Sequence, residues 1–411
     1  MEQLSAGNPA GAKATLDQVK AEHPDQESLW SAYGTIAATN RNFVEAAEDF
    51  RKEFAAHPDD VLVALALAEA EDKIGDSGAA RYTLELFLDR QPGELRASLY
   101  LANLQTTAKD YAAALKTLQA AAAQNPAYRA IQIQICETLV YLNRMDDAAA
   151  AAKAALDGAD DPETLNDAAY QLSLTGRNLP DAEAGARKAV NILEEKSASL
   201  TADQANNGAF AQANLLIASW DTLGWILFRE GKPEQARPLV AAAWLNGFRA
   251  EVGDHLGQID EALGHKQAAA HDYSLAKDAT AVQAVDPEIS GHIEKSLGRL
   301  KFPDARPGLK PNPLALQDLR TFHVARPAGA DGWGAFRFEI TAGGSVLEAQ
   351  QMSGDSKLAV IQPALLKMQF RDLVPPGSKA HLLRSAVVSC SEGTRCDVVI
   401  VPDGGLQTER Q

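Results

Sequence analysis

The sequence predicts a mainly α chain: a superhelix of helical hairpins over residues 1–300, then a small α+β domain over 317–404. Three observations predict it. A periodicity of 34 residues runs through the first part of the chain, four prolines interrupt the helical pattern in 302–316, and beyond that run apolar and polar residues alternate singly. The 411 residues are 46% hydrophobic and carry a net charge of −16. That composition supports a core and opposes a disordered chain. The acidic balance opposes nucleic-acid binding, which needs clustered Lys and Arg. No apolar stretch is long enough to span a bilayer.

The repeats follow one another at 27–60, 61–94, 95–128 and 129–162. In the first, Trp30, Gly34, Ala46, Phe50 and Pro58 occupy repeat positions 4, 8, 20, 24 and 32. Leu67, Ala68, Ala80, Leu84 and Pro92 match in the second, and Leu101, Ala102, Ala114, Leu118 and Pro126 in the third. The fourth is looser, with Ile135, Cys136, Ala148 and Ala155. Small residues at 8 and 20 let two antiparallel helices approach closely, large ones at 7 and 24 fill the space between neighbours, and the proline ends the second helix. Cys136, at a small-residue position, reads as core. Asp59–Asp60, Asp146–Asp147 and Asp160–Asp161 stand at helix starts and read as caps and dipole complements.

This pattern resembles the tetratricopeptide repeat family over about residues 1–280. Ala12, Leu16, Val19 and Pro24 continue the phase backward as the second helix of an incomplete first repeat. Two readings of that orphan helix stand: the chain is the downstream part of a longer protein, or the helix at 10–22 is its own cap. The opening MEQLSAGNPA has neither the basic nor the apolar region of a signal peptide. An extracytoplasmic location goes with the first reading, a cytoplasmic one with Met1 as the true start. Further on, Tyr170, Ala182 and Ala189 mark a helix pair, and residues 195–214 read as a polar insertion, a feature that in repeat proteins maps to one face. Trp220, Leu223, Gly224 and Ala236 mark the next unit, with Pro238 expected to kink its second helix. Leu256, Gly257, Ala269, Tyr273 and Ala276 mark another, and Pro287–Leu300 a closing helix. About seven helix pairs result.

The resemblance implies that the first helix of each repeat lines a concave groove. The register then supplies Glu69, Asp72, Lys73, Arg96, Asn103, Glu137, Tyr141, Asp167 and Gln171, and later Asp221, Trp225, Phe228, Arg229, Glu251, Asp254 and Glu261. Acids outnumber bases, so the expected partner is a basic or neutral protein or peptide segment. With Asn103 the one asparagine of that set, the carboxylate clamp of chaperone adaptors is not expected. Asn103, Tyr141, Asp221, Trp225, Phe228 and Arg229 are the candidate partner-binding residues. Trp225, Phe228 and Arg229 are of the types that form hot spots. The alternative is that Trp225 packs against the next repeat or under the insertion, and that Tyr141 is core.

FPDARPGLKPNPLAL marks a linker at 301–316. GAFRFEIT alternates as a strand with one buried face, AGGS turns, SVLEAQQM is a second strand, and SGDSKLAVIQPALLKMQF reads as a loop and a helix ending near Phe370. HLLRSAVVSC and CDVVIVP are further strands, Leu319–Ala325 an additional edge strand, and 405–411 a polar tail. Gly344, Val346, Ser353, Gly354, Asp355 and Leu358 resemble the TonB C-terminal fold over about 330–402. Pro363 departs from that pattern, and a generic α+β sandwich is the alternative. Cys390 and Cys396 flank a five-residue hairpin loop, SEGTR. They could face each other as a disulfide, which would imply an oxidising compartment, or stay two buried thiols.

The whole arrangement also resembles the C-terminal half of bacterial exported proteins that carry a transglutaminase-like region upstream. No nucleophile elbow, P-loop, dinucleotide fingerprint or H-E-x-x-H occurs. His255, His265 and His271 lack one-face metal spacing. The expectation is therefore a non-catalytic interaction scaffold without cofactor or metal. Two alternatives are the partner-binding part of a larger exported transglutaminase-like enzyme, and a cell-envelope assembly factor that docks through its C-terminal domain.

Overall fold

The computed structural model describes residues 6–23, 26, 28–198, 206–247, 249–301, 312–391 and 393–402. Pro24, residues 199–205 of the expected insertion, residues 302–311 of the expected linker and the 405–411 tail lie outside them. The chain forms two compact units, Met1–Ala155 and Leu156–Gln411.

The first unit is helical: α1 (Pro9–Glu22), α2 (Leu29–Thr39), α3 (Phe43–Ala56), α4 (Val61–Lys73), α5 (Ser77–Arg90), α6 (Leu95–Thr107), α7 (Tyr111–Gln124), α8 (Ala130–Tyr141) and α9, which begins at Met145 and ends at Leu156. Asn or Asp side chains cap several of these helices. The carboxylate of Asp60 accepts from the Leu62 backbone N–H at 2.8 Å, and that of Asp76 from Ala79 at 3.0 Å. Asp146 and Asp147 lie in the first turn of α9, against the positive end of its dipole. Within the hairpins most of the expected positions are the core: Ala46, Phe50, Leu67, Ala68, Ala80 and Leu84 are buried, while Trp30 is half-buried. Gly34 explains why position 8 is small, since a Cβ there would stand 2.7 Å from the Phe50 ring. Each large side chain so buried contributes about 1.5–3 kcal/mol. Cys136 is a buried free cysteine, and burial pushes its thiol up to about 12.

The second unit continues with α10 (Pro162–Leu174), α11 (Leu179–Ser197), α12 (Asn207–Arg229), α13 (Pro233–Asn246), α14 (Ala250–Ala262), α15 (Lys266–Ala279), α16 (Pro287–Leu300) and α17 (Pro313–Leu319). Gly224 meets Val240 and Gly257 meets the Tyr273 ring, so the close-approach rule recurs in the pairs α12/α13 and α14/α15. Pro238 lies inside α13 without ending it. Two expectations are corrected. The stretch expected as a polar insertion, 195–214, is helical at both ends: residues 195–197 finish α11, and 207–214 open α12 because Asn206 caps the Ala209 N–H at 3.0 Å and Ala209 and Ala213 are buried. Likewise α17 starts inside the expected linker, with Asn312 as its cap.

Five strands follow: β1 (Thr321–Ala325), β2 (Gly332–Ile340), β3 (Val346–Gly354), β4 (Leu382–Cys390) and β5 (Arg395–Ile400). They form one antiparallel sheet in the order β1-β5-β4-β2-β3. The helix expected to end near Phe370 is instead a 3₁₀ segment, Ser356–Ile361, and one α-turn, α18 (Gln362–Leu365). Pro363 sits at the start of that turn, where its missing N–H costs nothing. Phe338 from β2 packs edge-on to Phe370 and beside Phe336, and Leu358, Ile361 and Leu365 are buried as well. Gly344 and Gly354 hold φ of +80° and +106°, a conformation that favours glycine at both ends of β3. Cys390 and Cys396 form a disulfide across the β4–β5 hairpin.

This sheet is built onto the helices of its own unit. Arg384 of β4 is fully buried and donates to Asn246 Oδ1 at 3.0 Å and Asn214 Oδ1 at 3.1 Å. Asn246 in turn donates to the Leu373 carbonyl at 2.7 Å. Glu194 of α11 accepts from the Ser378 hydroxyl at 2.6 Å and the Lys379 N–H at 3.2 Å. Leu383 packs on Ala209, and Arg337 lies over the Phe210 ring. The N-terminal turns of α12 therefore owe their order to the sheet.

Candidate functional site

Helices α10 and α12, the end of α13 at Ala243 and the start of α14 surround a cavity of about 290 Å³ in the second unit. From α10 come Asn166, Asp167 and Tyr170, one turn of one face, set in place by Asp161, whose carboxylate caps the Thr164 N–H at 2.8 Å. From α12 come Asn214, Ile217, Ala218, Asp221 and Thr222, whose spacing is a helical stripe. Arg249, Glu251 and Val252 close the far side at the start of α14. The walls alternate small apolar surface with carboxylates.

The polar groups are organised from behind. Tyr170 Oη donates to Glu251 Oε1, and burial followed by the Glu251 charge raises the phenol strongly. His255 Nδ1 lies 3.1 Å from Asp221 Oδ1, fully behind the cavity wall. Burial alone would pull that imidazole down, but the Asp221 carboxylate, with Glu251 and Asp254, outweighs it and holds the group above its ordinary value. The His255 ring stacks on Trp225, with centroids 4.0 Å apart and planes at 15°. Next along, Asp254 binds His292 Nδ1 at 2.7 Å and Gln258 Nε2 at 2.8 Å, while burial still keeps its carboxyl raised. Asn166 donates its amide to Asp167 Oδ1 at 3.0 Å, which fixes the amide orientation and leaves its buried Oδ1 without a protein partner. Among the described residues, no group of three or more His, Cys, Asp or Glu is placed to hold a metal ion.

The candidate residues fall in three places. Asp221 lines the cavity, and so do Asp167 and Glu251 from the wider groove set. Trp225 does not reach the surface: it is 8% exposed, held between His255 and Phe228, so its role in the structure is packing. Phe228 is half-buried at 5.4 Å from Trp225, and the exposed Arg229 lies over the Trp225 ring at 5.8 Å. Asn103 and Tyr141 are in the first unit. Asn103 is exposed on α6, and Tyr141 stacks on Tyr111 at 4.7 Å with half its surface open, so it is not core. Sequence reasoning did not single out Asn166, Asn214 or Arg249. The signal for Asn166 was its place beside Asp167 and four residues before Tyr170. Asn214 falls at the end of the stretch 195–214, whose polarity reads as an insertion between repeats.

The model of the tetratricopeptide repeat family matches residues 1–61 and 65–129. No curated protein matches the sequence. Among solved structures, a tetratricopeptide repeat protein from Parabacteroides merdae is 13% identical, with a TM-score of 0.47 over 69% of this chain and 98% of its own. Yeast Tom70 is 16% identical, with a TM-score of 0.41 over 72% of this chain and 59% of its own. The C-terminal part of a repeat protein from Cytophaga hutchinsonii is 14% identical, with a TM-score of 0.36 over 68% of this chain and 98% of its own.

Proposed function

We propose that the chain is a non-catalytic interaction scaffold that binds a basic or neutral segment of a partner protein along the α10, α12 and α14 surface of its second unit. Tetratricopeptide-type repeats commonly mediate protein–protein interaction, and the family match at residues 1–129 supports that general role. The observation that carries the reading is the cavity itself, which offers Asp167, Asp221 and Glu251 against the single cation Arg249. Like charge repels an acidic segment from such a surface and steers a basic one toward it. Phe228 and Arg229 stand at the end of the same helix as Asp221 and would extend the contact.

A second reading is partner capture by the terminal sheet. It is favoured by the position of β1 at one edge, beside a groove lined by Phe322, Val324, Pro363, Lys367 and Met368. An extended segment adding to such an edge is a common recognition mode.

Deleting 317–411 does not separate these readings, because Arg384 would leave Asn214 and Asn246 without its donors. Photo-cross-linking does. A degenerate linear peptide library is panned on the full chain, and the enriched peptides are mapped with a photoreactive residue at position 228 or at position 367. Lys- or Arg-bearing peptides cross-linking at 228 are expected. Cross-linking at 367 alone selects the second reading, and no enrichment sinks both.

A further inference from the structure

We propose that the cavity between α10, α12 and α14 is a socket for one arginine side chain of the bound segment, a deepening that rests on the scaffold reading for the source of that side chain. The argument starts from an acceptor that has no donor. Asn166 is 6% exposed, lines the cavity, and its buried Oδ1 has no hydrogen-bond partner among the described residues. A buried polar atom left in this state costs about 1–3 kcal/mol, which an incoming N–H removes. The orientation of the amide is not arbitrary, since its nitrogen must face the Asp167 carboxylate.

The remaining walls ask for the same kind of guest. A carboxylate has about four acceptor positions. Glu251 uses one on the Tyr170 hydroxyl, and Asp221 meets the His255 Nδ1. Asp167 stands exposed at the mouth, with the Asn166 amide as its hydrogen bond. Acceptors on two facing helices and at the start of a third suit a planar group with five N–H donors better than a compact ammonium. The charge agrees. Three carboxylates face one guanidinium, that of Arg249, whose nearest Glu251 oxygen is 3.9 Å away and whose side chain is mostly exposed. Between the acceptors, Ile217, Ala218, Ala243 and Val252 supply apolar wall for the methylene stem. At about 290 Å³ the space is at the lower limit of the roughly 300–1,000 Å³ of pockets that take whole small-molecule ligands. It is sized for one side chain.

The test uses the full chain and two capped tripeptides, acetyl-Gly-Arg-Gly-amide and the same peptide with citrulline, which keeps the shape and loses the charge. Binding is followed by NMR saturation transfer at low ionic strength, with thermal unfolding as the control for folding. Saturable binding of the arginine peptide is expected, at least tenfold tighter than the citrulline peptide. Asp167→Asn, at the exposed mouth, and Glu251→Gln, which keeps an acceptor for Tyr170, should each weaken it several-fold without a change in melting temperature. Equal binding of the two peptides, no saturable binding of either, or insensitivity to both substitutions would overturn the socket. Library peptides that still cross-link at position 228 in that event would leave the scaffold reading standing, so the two failures are distinguishable.

Discussion

Asp272 and Asp260 show how this chain handles buried acid. Asp260 is fully buried and accepts from Arg237 at 2.7 and 3.1 Å and from His265 Nδ1 at 3.0 Å, so it stays ionised, with its pKa lowered. Asp272 sits beside it with no such escort. Burial first, and the Asp260 charge second, push its carboxyl up to about 8. At neutral pH it is therefore a neutral donor to Asp260. The sign of the linkage follows. An unfolded Asp releases its proton near pH 3.9, so between about 4 and about 8 the folded state holds a proton that the unfolded state has lost. Stability falls as pH rises through that window. Asp272→Asn keeps a donor and removes the ionisation. Melting curves should show the variant gaining on the parent steadily as pH rises from about 4 to about 8, with the difference constant above about 8 and constant again below about 4. A pH-independent difference would refute the assignment of the proton. The same logic of acid placed against a specific neighbour operates at Asp221 and His255, beside the cavity.

Between helices, the decisive contacts are made by what is missing from a side chain. A Cβ on Gly224 would lie 2.5 Å from Val240 and 3.1 Å from the Ala236 carbonyl, backbone that cannot give way cheaply. Gly224→Ala should therefore destabilise the second unit by about 1–3 kcal/mol in urea titration. Gly291 in α16 meets nothing within 4 Å, so Gly291→Ala should do the opposite, stabilising by about 0.5–1 kcal/mol through helix propensity alone. Two glycine substitutions of the same sign would remove the close-approach account. These positions also mark what could be read from the sequence. Gly34, Gly224 and Gly257 fall on a repeat phase because each hairpin solves the same packing problem, and Asp167, Asp221 and Glu251 fall on the groove phase for the same reason. The strands β2 to β5 were legible too, but the single buried face expected of GAFRFEIT is not what forms, since Glu339 is buried along with Phe336, Phe338 and Ile340. Asn166 as an orphan acceptor was not legible, nor Asn214 as a partner of Arg384, because both depend on residues that no periodicity relates. The disulfide adds a local constraint in the sheet. Closing a loop with sequence separation 6 is worth about 2 kcal/mol by chain entropy. Reduction should lower the melting temperature, with a thiol count that rises from one to three in denaturant, and an unchanged count after reduction would show that the pair was never joined.

At the scale of the whole chain, two compact units predict two unfolding events rather than one. The units end and begin at Ala155 and Leu156, inside the helical array. Repeat arrays are held mostly by neighbouring contacts, so cooperativity need not extend through the chain. The tryptophans make the two events separable. Of five, Trp30 is in the first unit, and Trp220, Trp225, Trp244 and Trp333 are in the second. Helical circular dichroism should report both units, while fluorescence follows mainly the second. Arg384 supplies the perturbation, since it joins sheet to helices within that unit alone. Arg384→Met removes two hydrogen bonds from a charged donor, worth about 1.5–3 kcal/mol each, and recovers part of that by no longer burying a guanidinium. A net loss of about 2–4 kcal/mol is expected. The fluorescence transition should move to lower urea by that amount, while the other circular-dichroism step stays in place. If the two signals coincide at every urea concentration, or if Arg384→Met moves both steps together, the chain unfolds as one body and the division into two units has no energetic meaning.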